Sequence, residues 1–251
     1  MTARLRLGLA GSSGRMGAHV RALAVESFSD TIEFVGGVSR ATNVSELAPL
    51  CAQIDVLVDF SAAKQMSIIA RACADGGCAL VSGTTGLGEE EMQELSVASR
   101  LVPILHAANF SIGVHIVARA LAEIAPLLKE KADIEILEKH HRSKADAPSG
   151  TALFLGGVIA YALGTSLQDS AVWPCLPYKD TPRAQDTIHF SSQRGGDVVG
   201  THRIDFFCPE EVVTLEHQAL DRRVFARGAL QAALWIRARA PKMYTMEDVL
   251  S

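Results

Sequence analysis

The sequence predicts an α/β fold: a doubly wound parallel sheet with helices on both faces, followed by an α+β unit built on an antiparallel or mixed sheet. Three observations carry this. Apolar strand-like runs alternate with helix-like runs over residues 5–106, and that alternation implies a parallel sheet covered on both sides. A glycine-rich turn runs from Gly11 to Gly17, directly between the first strand and the first helix. After residue 187 the alternation stops, and three strand-like runs follow with no helix between them.

The elements are read in order. Residues 5–10 are a short apolar run closed by glycine, the signal of a buried strand. Residues 15–25 can form a helix, 32–38 a second strand and 54–60 a third. The helix over 65–74 is stopped by Gly76 and Gly77. Residues 79–82 read as a strand, 89–99 as a helix and 102–106 as a strand, with right-handed crossovers expected throughout. Residues 111–128 are a long helix candidate, 133–138 alternate like a strand with one wet face, and 151–163 are an apolar helix. Strands follow over 187–193, 198–207 and 211–217, joined by Gly195, Gly196 and Asp197 and then by Pro209 and Glu210. The last helix, 227–239, ends before Pro241. Residues 167–184 hold three prolines and read as a surface loop.

Composition excludes several classes. The chain has 251 residues, 48% hydrophobic and 21% charged, which is globular rather than disordered. Its net charge of −4 gives no basic footprint for nucleic acid. The five cysteines are odd in number and form no C-x-x-C pair, which argues against a disulfide framework or a structural zinc site and fits a reducing cytoplasm. No apolar run approaches the ~20 residues of a membrane span, and the apolar start is broken too early by Gly11 to act as a signal peptide.

The turn Gly11, Ser12, Ser13, Gly14, Arg15, Met16, Gly17 follows the spacing G-x-x-G-x-x-G. Glycines there let a pyrophosphate approach backbone N–H groups at a helix N-terminus, so a dinucleotide is the expected ligand. The second strand ends at Ser39 and Arg40 with no acidic residue. A hydroxyl and a guanidinium suit a ribose 2′-phosphate, which favours NADPH, with NADH possible. Turns after later strands point to the same crevice: Asp59 to Ser61, Gly83 with Thr84 and Thr85, and Ala107, Ala108, Asn109 and Phe110.

The densest chemistry lies between Glu135 and Ala152, where His140, His141, Arg142 and Lys144 crowd together before Pro148, Ser149, Gly150 and Thr151 open a helix. Such a cluster attracts an anionic small molecule, and adjacent positive charges depress one another's pKa, tuning a histidine or lysine for proton transfer. Gly150 and Thr151 can aim N–H groups and a hydroxyl at a carboxylate. Ser149 or Thr151 can equally be a helix cap, and His140 or His141 a solvated loop residue. A Ser149, His140, Asp146 hydrolase reading stays open, although no nucleophile elbow surrounds the serine.

At these residues the chain resembles the dihydrodipicolinate reductase family. The pattern E-I-x-E-x-H-x-x-x-K-x-D-x-P-S-G-T-A runs without a gap from Glu135 to Ala152. The resemblance extends to Gly11–Gly17, to Gly83–Gly86, to Ala108–Ser111, to the run from Arg194 through Gly200 to His202, and to the final helix. It implies a Rossmann-type dinucleotide-binding domain over 1–110, a substrate-binding and oligomerisation domain over 111–218, and a segment 219–251 that returns to the first domain. It implies His140 as proton donor and Lys144 as activating lysine. His141, Lys144, Gly150 and Thr151 fall at substrate positions, and the glycine turn, Gly83 to Thr85 and Ala107 to Phe110 at cofactor positions. A cyclic imine dicarboxylate is the implied substrate and a homotetramer the implied assembly. Longer members carry an extended loop between strands two and three and often Glu-Arg at the strand end; here Ser39 and Arg40 precede a short linker, which adds weight to NADPH. Arg222 is similar to a further arginine near the cofactor. The rival readings are another NADP-dependent dehydrogenase of amino or keto acids, and a silent dinucleotide sensor.

Overall fold

The computed structural model describes residues 3–39, 44–173 and 183–251. In chain order the first half holds β1 (Leu5–Ala10), α1 (Arg15–Glu26), β2 (Ile32–Val38), α2 (Leu47–Cys51), β3 (Val56–Asp59), α3 (Met66–Gly76), β4 (Ala79–Ser82), α4 (Glu89–Ala98), β5 (Ile104–His106) and α5 (Ile112–Ile124). There follow β6 (Asp133–His140), α6 (Gly150–Ala162), α7 (Leu167–Ser170), β7 (Ala171–Val172), β8 (Ile188–Arg194), β9 (Gly200–Phe207), β10 (Val212–Ala219), α8 (Arg223–Ile236), β11 (Met243–Tyr244) and α9 (Met246–Leu250). The chain divides into one unit of residues 1–112 and 222–251 and another of residues 113–221.

The first unit is a six-stranded sheet in the order β11-β5-β4-β3-β1-β2, with every pair parallel. This is the Rossmann-type doubly wound arrangement. Its side chains obey the strand period of two. Leu5, Leu7, Leu9, Val56, Val58, Val81 and Leu105 face one core with Ala226, Ala229 and Leu230 of α8. Leu57, Leu80 and Ile104 face the opposite core with Cys51, Met66, Ile69 and Leu95. Strand order reverses between β1 and β3, so the carboxyl ends of these strands open a crevice there. The helix α3 ends as its glycines require, with Gly77 in the left-handed region at φ +70°.

The second unit is a mixed five-stranded sheet in the order β10-β9-β6-β8-β7. β6 is its centre, parallel to β8 and antiparallel to β9. The turn at Gly195 to Asp197 therefore does not close a hairpin; it carries the chain from one side of β6 to the other. Apolar residues of β6, β8 and β9 (Ile136, Phe190, Ile204 and Phe206) pack with Leu155 and Ile159 of α6.

Some elements differ from expectation. Residues 167–172 form α7 and the edge strand β7 rather than loop, because Ser166 caps the helix through the Asp169 N–H and β7 pairs with β8. The expected helix over 111–128 finishes as a 3-10 turn at Ala125–Leu128, where Pro126 cannot extend the α-helical ladder. The short elements α2, β11 and α9 carry too few residues to show a period.

One glycine fixes the packing of α8. A Cβ on Gly228 would lie 1.8 Å from the Phe110 carbonyl oxygen. Alanine usually stabilises a helix relative to glycine, but here it meets backbone. Gly228→Ala should cost about 1–3 kcal/mol and lower the thermal midpoint. An unchanged or raised midpoint in calorimetry would show that α8 can move away.

Candidate functional site

In the first unit the site begins at the turn between β1 and α1. Gly11 has φ +77°, and a Cβ there would sit 2.4 Å from the Phe60 carbonyl oxygen. A Cβ on Gly17 would sit 2.3 Å from the Gly11 oxygen. Side chains are thus excluded on steric grounds, and the backbone lies bare. The Gly11 and Ser12 N–H groups donate to the Val38 oxygen at 3.0 and 3.1 Å, and the Ser12 hydroxyl donates to the same oxygen. Ser12 therefore locks the turn to β2. No side chain caps α1, whose N-cap is Gly14, and its first turn holds no acid. Its N-terminal N–H groups remain available for an anion.

Beside this turn lies a cleft of about 330 Å³, lined among others by Gly11, Ser13, Gly14, Ser39, Phe60 and Ser61. Of the expected cofactor residues, Arg15 is exposed on the first turn of α1, whereas Met16 packs on the core. Arg40 lies outside the described residues. Gly83, Thr84 and Phe110 join through aromatic and polar contacts: a Cβ on Gly83 would press 2.3 Å from the Phe60 ring, and Phe60 meets Phe110 edge-on at 5.8 Å. Asn109 spends its side-chain oxygen on the Ser111 N–H. Thr85 and Ala108 are exposed and Ala107 is buried.

Asp59 organises these turns. It is fully buried, and its carboxylate accepts from the Ser61 N–H, the Ser82 hydroxyl and the Thr84 hydroxyl at 2.9, 2.9 and 2.7 Å. The hydroxyl of Thr84 is thus committed inward. The glycine cradle, uncapped helix and adjoining cleft fit a dinucleotide.

In the second unit the site is built on β6. Period two puts Glu138 and His140 on one buried face. Register does the rest: Arg194 of β8 stands opposite His140, and His202 of β9 opposite Glu138. Glu138 is fully buried and receives Arg194 in a two-pronged pair at 2.8 and 2.7 Å. His140 Nδ1 lies 2.5 Å from Glu138 Oε2, and the Ser149 N–H donates to Oε1. A carboxylate there fixes the histidine proton on Nδ1 and leaves Nε2 as the working end. Gly200 faces that nitrogen, where a Cβ would come within 3.0 Å.

The charges follow from burial and pairing. Burial pushes the Glu138 carboxyl up, but Arg194, Ser192 and His140 outweigh it and hold it at about 2. Burial lowers His140 despite Glu138, and the Lys144 and Arg194 charges add to the lowering. The expected depression of His140 is present, with burial rather than charge crowding as the leading cause. Burial and then repulsion from His140 take His202 down to about 3.

Lys144 pairs with Asp146 at 2.9 Å, and the Lys144 hydrogen bond leads in lowering the Asp146 carboxyl. His141 Nδ1 contacts the Ser143 hydroxyl at 2.8 Å. Gly150 and Thr151 form the first turn of α6, and a Cβ on Gly150 would meet nothing within 4 Å. Ser149 caps α6 by accepting from the Ala152 N–H, and its hydroxyl lies 3.0 Å from His202 Nε2. Ser149 contacts His202 rather than His140, and Asp146 serves Lys144. The hydrolase triad is therefore not assembled.

The sequence gives no role to Glu138, Arg194 or His202, and it places Asp59 only in a turn lining the cofactor crevice, not as the carboxylate that ties three turns together. The E-x-H spacing on a strand was a usable signal for Glu138. Arg194 and His202 needed the register.

Glu138 sets a testable pH dependence. Its carboxyl is held below the ordinary 4.5 at about 2, so the stability it contributes is complete above pH 4.5 and fades as pH falls through 2. In denaturant titrations the advantage of the native chain over Glu138→Gln should shrink across that interval; a constant difference would refute the pairing. Arg194→Leu, which strands the buried carboxylate, should cost about 3–5 kcal/mol at neutral pH.

A family model described as "Dihydrodipicolinate reductase, N-terminus" matches residues 5–110. Another, described as "Dihydrodipicolinate reductase, C-terminus", matches residues 113–250. A 4-hydroxy-tetrahydrodipicolinate reductase of Pseudomonas fluorescens (strain Pf0-1) is 45% identical over 214 residues, covering 85% of this chain and 78% of that relative. A protein of the same name from Acinetobacter baumannii (strain ACICU) is 38% identical over 267 residues, covering 100% and 97%. Among solved structures, a dipicolinate-bound dihydrodipicolinate reductase from Paenisporosarcina sp. TG-14 superposes with TM-score 0.71 at 22% identity, covering 97% of this chain and 98% of that one. At that identity the match speaks to the fold.

Proposed function

The chain belongs to the dihydrodipicolinate reductase family, and from that premise we propose the reaction and the residues that perform it. The reaction is reduction of the cyclic imine dicarboxylate derived from 4-hydroxy-tetrahydrodipicolinate, in the diaminopimelate route to lysine. The observation that carries the residue assignment is the buried Glu138–His140 pair standing beside Lys144 and the first turn of α6.

A nicotinamide dinucleotide, held by the cradle of Gly11, Gly14 and Gly17 beside Ser13 and Ser39, supplies the hydride when bound. NADPH is the favoured form, on the Ser39 and Arg40 pair and the absence of an acid at the end of β2. Lys144 takes a substrate carboxylate in exchange for Asp146, which is 61% exposed and easily displaced. His141 and the Gly150 and Thr151 N–H groups complete that anion site. His140 delivers the proton from Nε2, while Glu138 holds Nδ1 and stabilises the imidazolium that must exist before transfer.

Burial keeps His140 below the ordinary 6.5 in the free protein. A dianionic substrate beside it reverses the balance, since nearby negative charge favours the protonated ring. Proton delivery is thereby tied to occupancy. The proposed homotetramer, in the cytoplasm, would cover the exposed cross-strand pair Phe207 and Val212 at the β9–β10 edge.

His140→Gln should lower kcat by about 10²–10⁴-fold with a smaller change in KM, and Lys144→Ala should damage both. The readout is nicotinamide oxidation with substrate generated in the cuvette; near-native kinetics would remove either role. Run with NADPH and NADH separately, the same assay should favour NADPH, and equal rates would withdraw the Ser39 and Arg40 reading. The His140 titration, followed by NMR, should begin below pH 6.5 in the free protein and move up when dipicolinate binds. A downward move would refute the coupling.

A further inference from the structure

Three cysteines from separate elements converge inside the first unit. Cys51 closes α2, Cys73 lies near the end of α3, and Cys78 stands between Gly77 and β4. All three are fully buried, and their sulfurs lie within 4.8 Å of one another. The backbone imposes this. A Cβ on Gly76 would lie 2.8 Å from the Cys51 carbonyl carbon and Cβ, so α3 lies directly against the end of α2. The left-handed turn at Gly77 then folds the chain back, and the Cys78 N–H donates to the Cys73 oxygen at 3.1 Å.

A single buried thiol is ordinary packing, since cysteine behaves as a small apolar residue. Three converging sulfurs are also a donor set for a soft ion. Among the described residues no histidine, aspartate or glutamate joins them, so a tetrahedral zinc centre lacks its fourth ligand. The surroundings are apolar, with Ile54, Leu80 and Leu95 in the same core. Three thiolates around a monovalent or divalent ion would leave net negative charge there, which is costly to bury. Around a trivalent ion they leave none.

We propose that Cys51, Cys73 and Cys78 form a three-coordinate site for a trivalent thiophilic ion of the arsenite class. The chemistry is a condensation: neutral As(OH)3 and three S–H groups give three As–S bonds and three waters, with no change in oxidation state. Ligation ties α2 to α3, the helices that contribute Leu47, Ile68 and Ile69 to the wall of the cleft.

The test uses the full chain carrying Cys175→Ser and Cys208→Ser, reduced with a phosphine and mixed with sodium arsenite. Intact mass under non-denaturing conditions should show one arsenic per chain with three protons lost and no retained hydroxide, together with a raised thermal midpoint. Cys51→Ser and, separately, Cys78→Ser should lose the three-bond adduct. No adduct, an adduct that keeps hydroxide, or a three-bond adduct that survives either substitution would overturn the proposal. The mass increment is read on the chain with all three thiols, so it decides the matter even if a serine variant fails to fold.

Discussion

A single buried carboxylate organises the second unit. Glu138 has no contact with solvent, and an ionised group in that position survives only if every lone pair is engaged. Arg194 grips both oxygens, His140 bonds one and the Ser149 backbone the other. Each partner is thereby placed. Arg194 reaches on to the carbonyls of Lys144 and Asp146, so the loop that carries Lys144 is fastened to the same charge. The N-terminus of α6 is fixed through Ser149. One electrostatic demand thus sets the orientation of a histidine, the course of a loop and the start of a helix.

The first unit solves a different problem with a similar economy. Its sheet needs helices on both faces, and its nucleotide cradle needs a turn with no side chains. Gly11 and Gly17 meet the second need, because backbone atoms already occupy the space a Cβ would take. Asp59 supports the neighbouring turns by accepting from Ser61, Ser82 and Thr84. Several residues at the proposed cofactor positions are therefore structural in part: Ser12 and Thr84 direct their hydroxyls to the frame, and Met16 packs on the core.

Burial and charge pairing divide the titratable groups by task. Glu138 is kept ionised, His202 neutral, and His140 balanced between a desolvating pocket and an adjacent carboxylate. Such a histidine responds strongly to one further negative charge. This is the property that the proposed proton delivery from His140 requires.

Much of this was legible in the amino-acid order. The strands and helices of the first unit, the cradle at Gly11 to Gly17, and the crowding of His140, His141 and Lys144 are local patterns, set by period, steric allowance and composition. Helix α2 and strand β11 were not legible, since so few residues show no period. Nor was the meeting of Glu138 with Arg194 and His202, or of Cys51 with Cys73 and Cys78. Those contacts depend on which strand lies beside β6, in which direction and register, and on where α3 lands against α2. The sequence by itself determined which chemical groups are present and the local shape of the turns that carry them. Only the tertiary structure decided which groups share a buried space, because the cost of burying charge is settled between partners far apart in the chain.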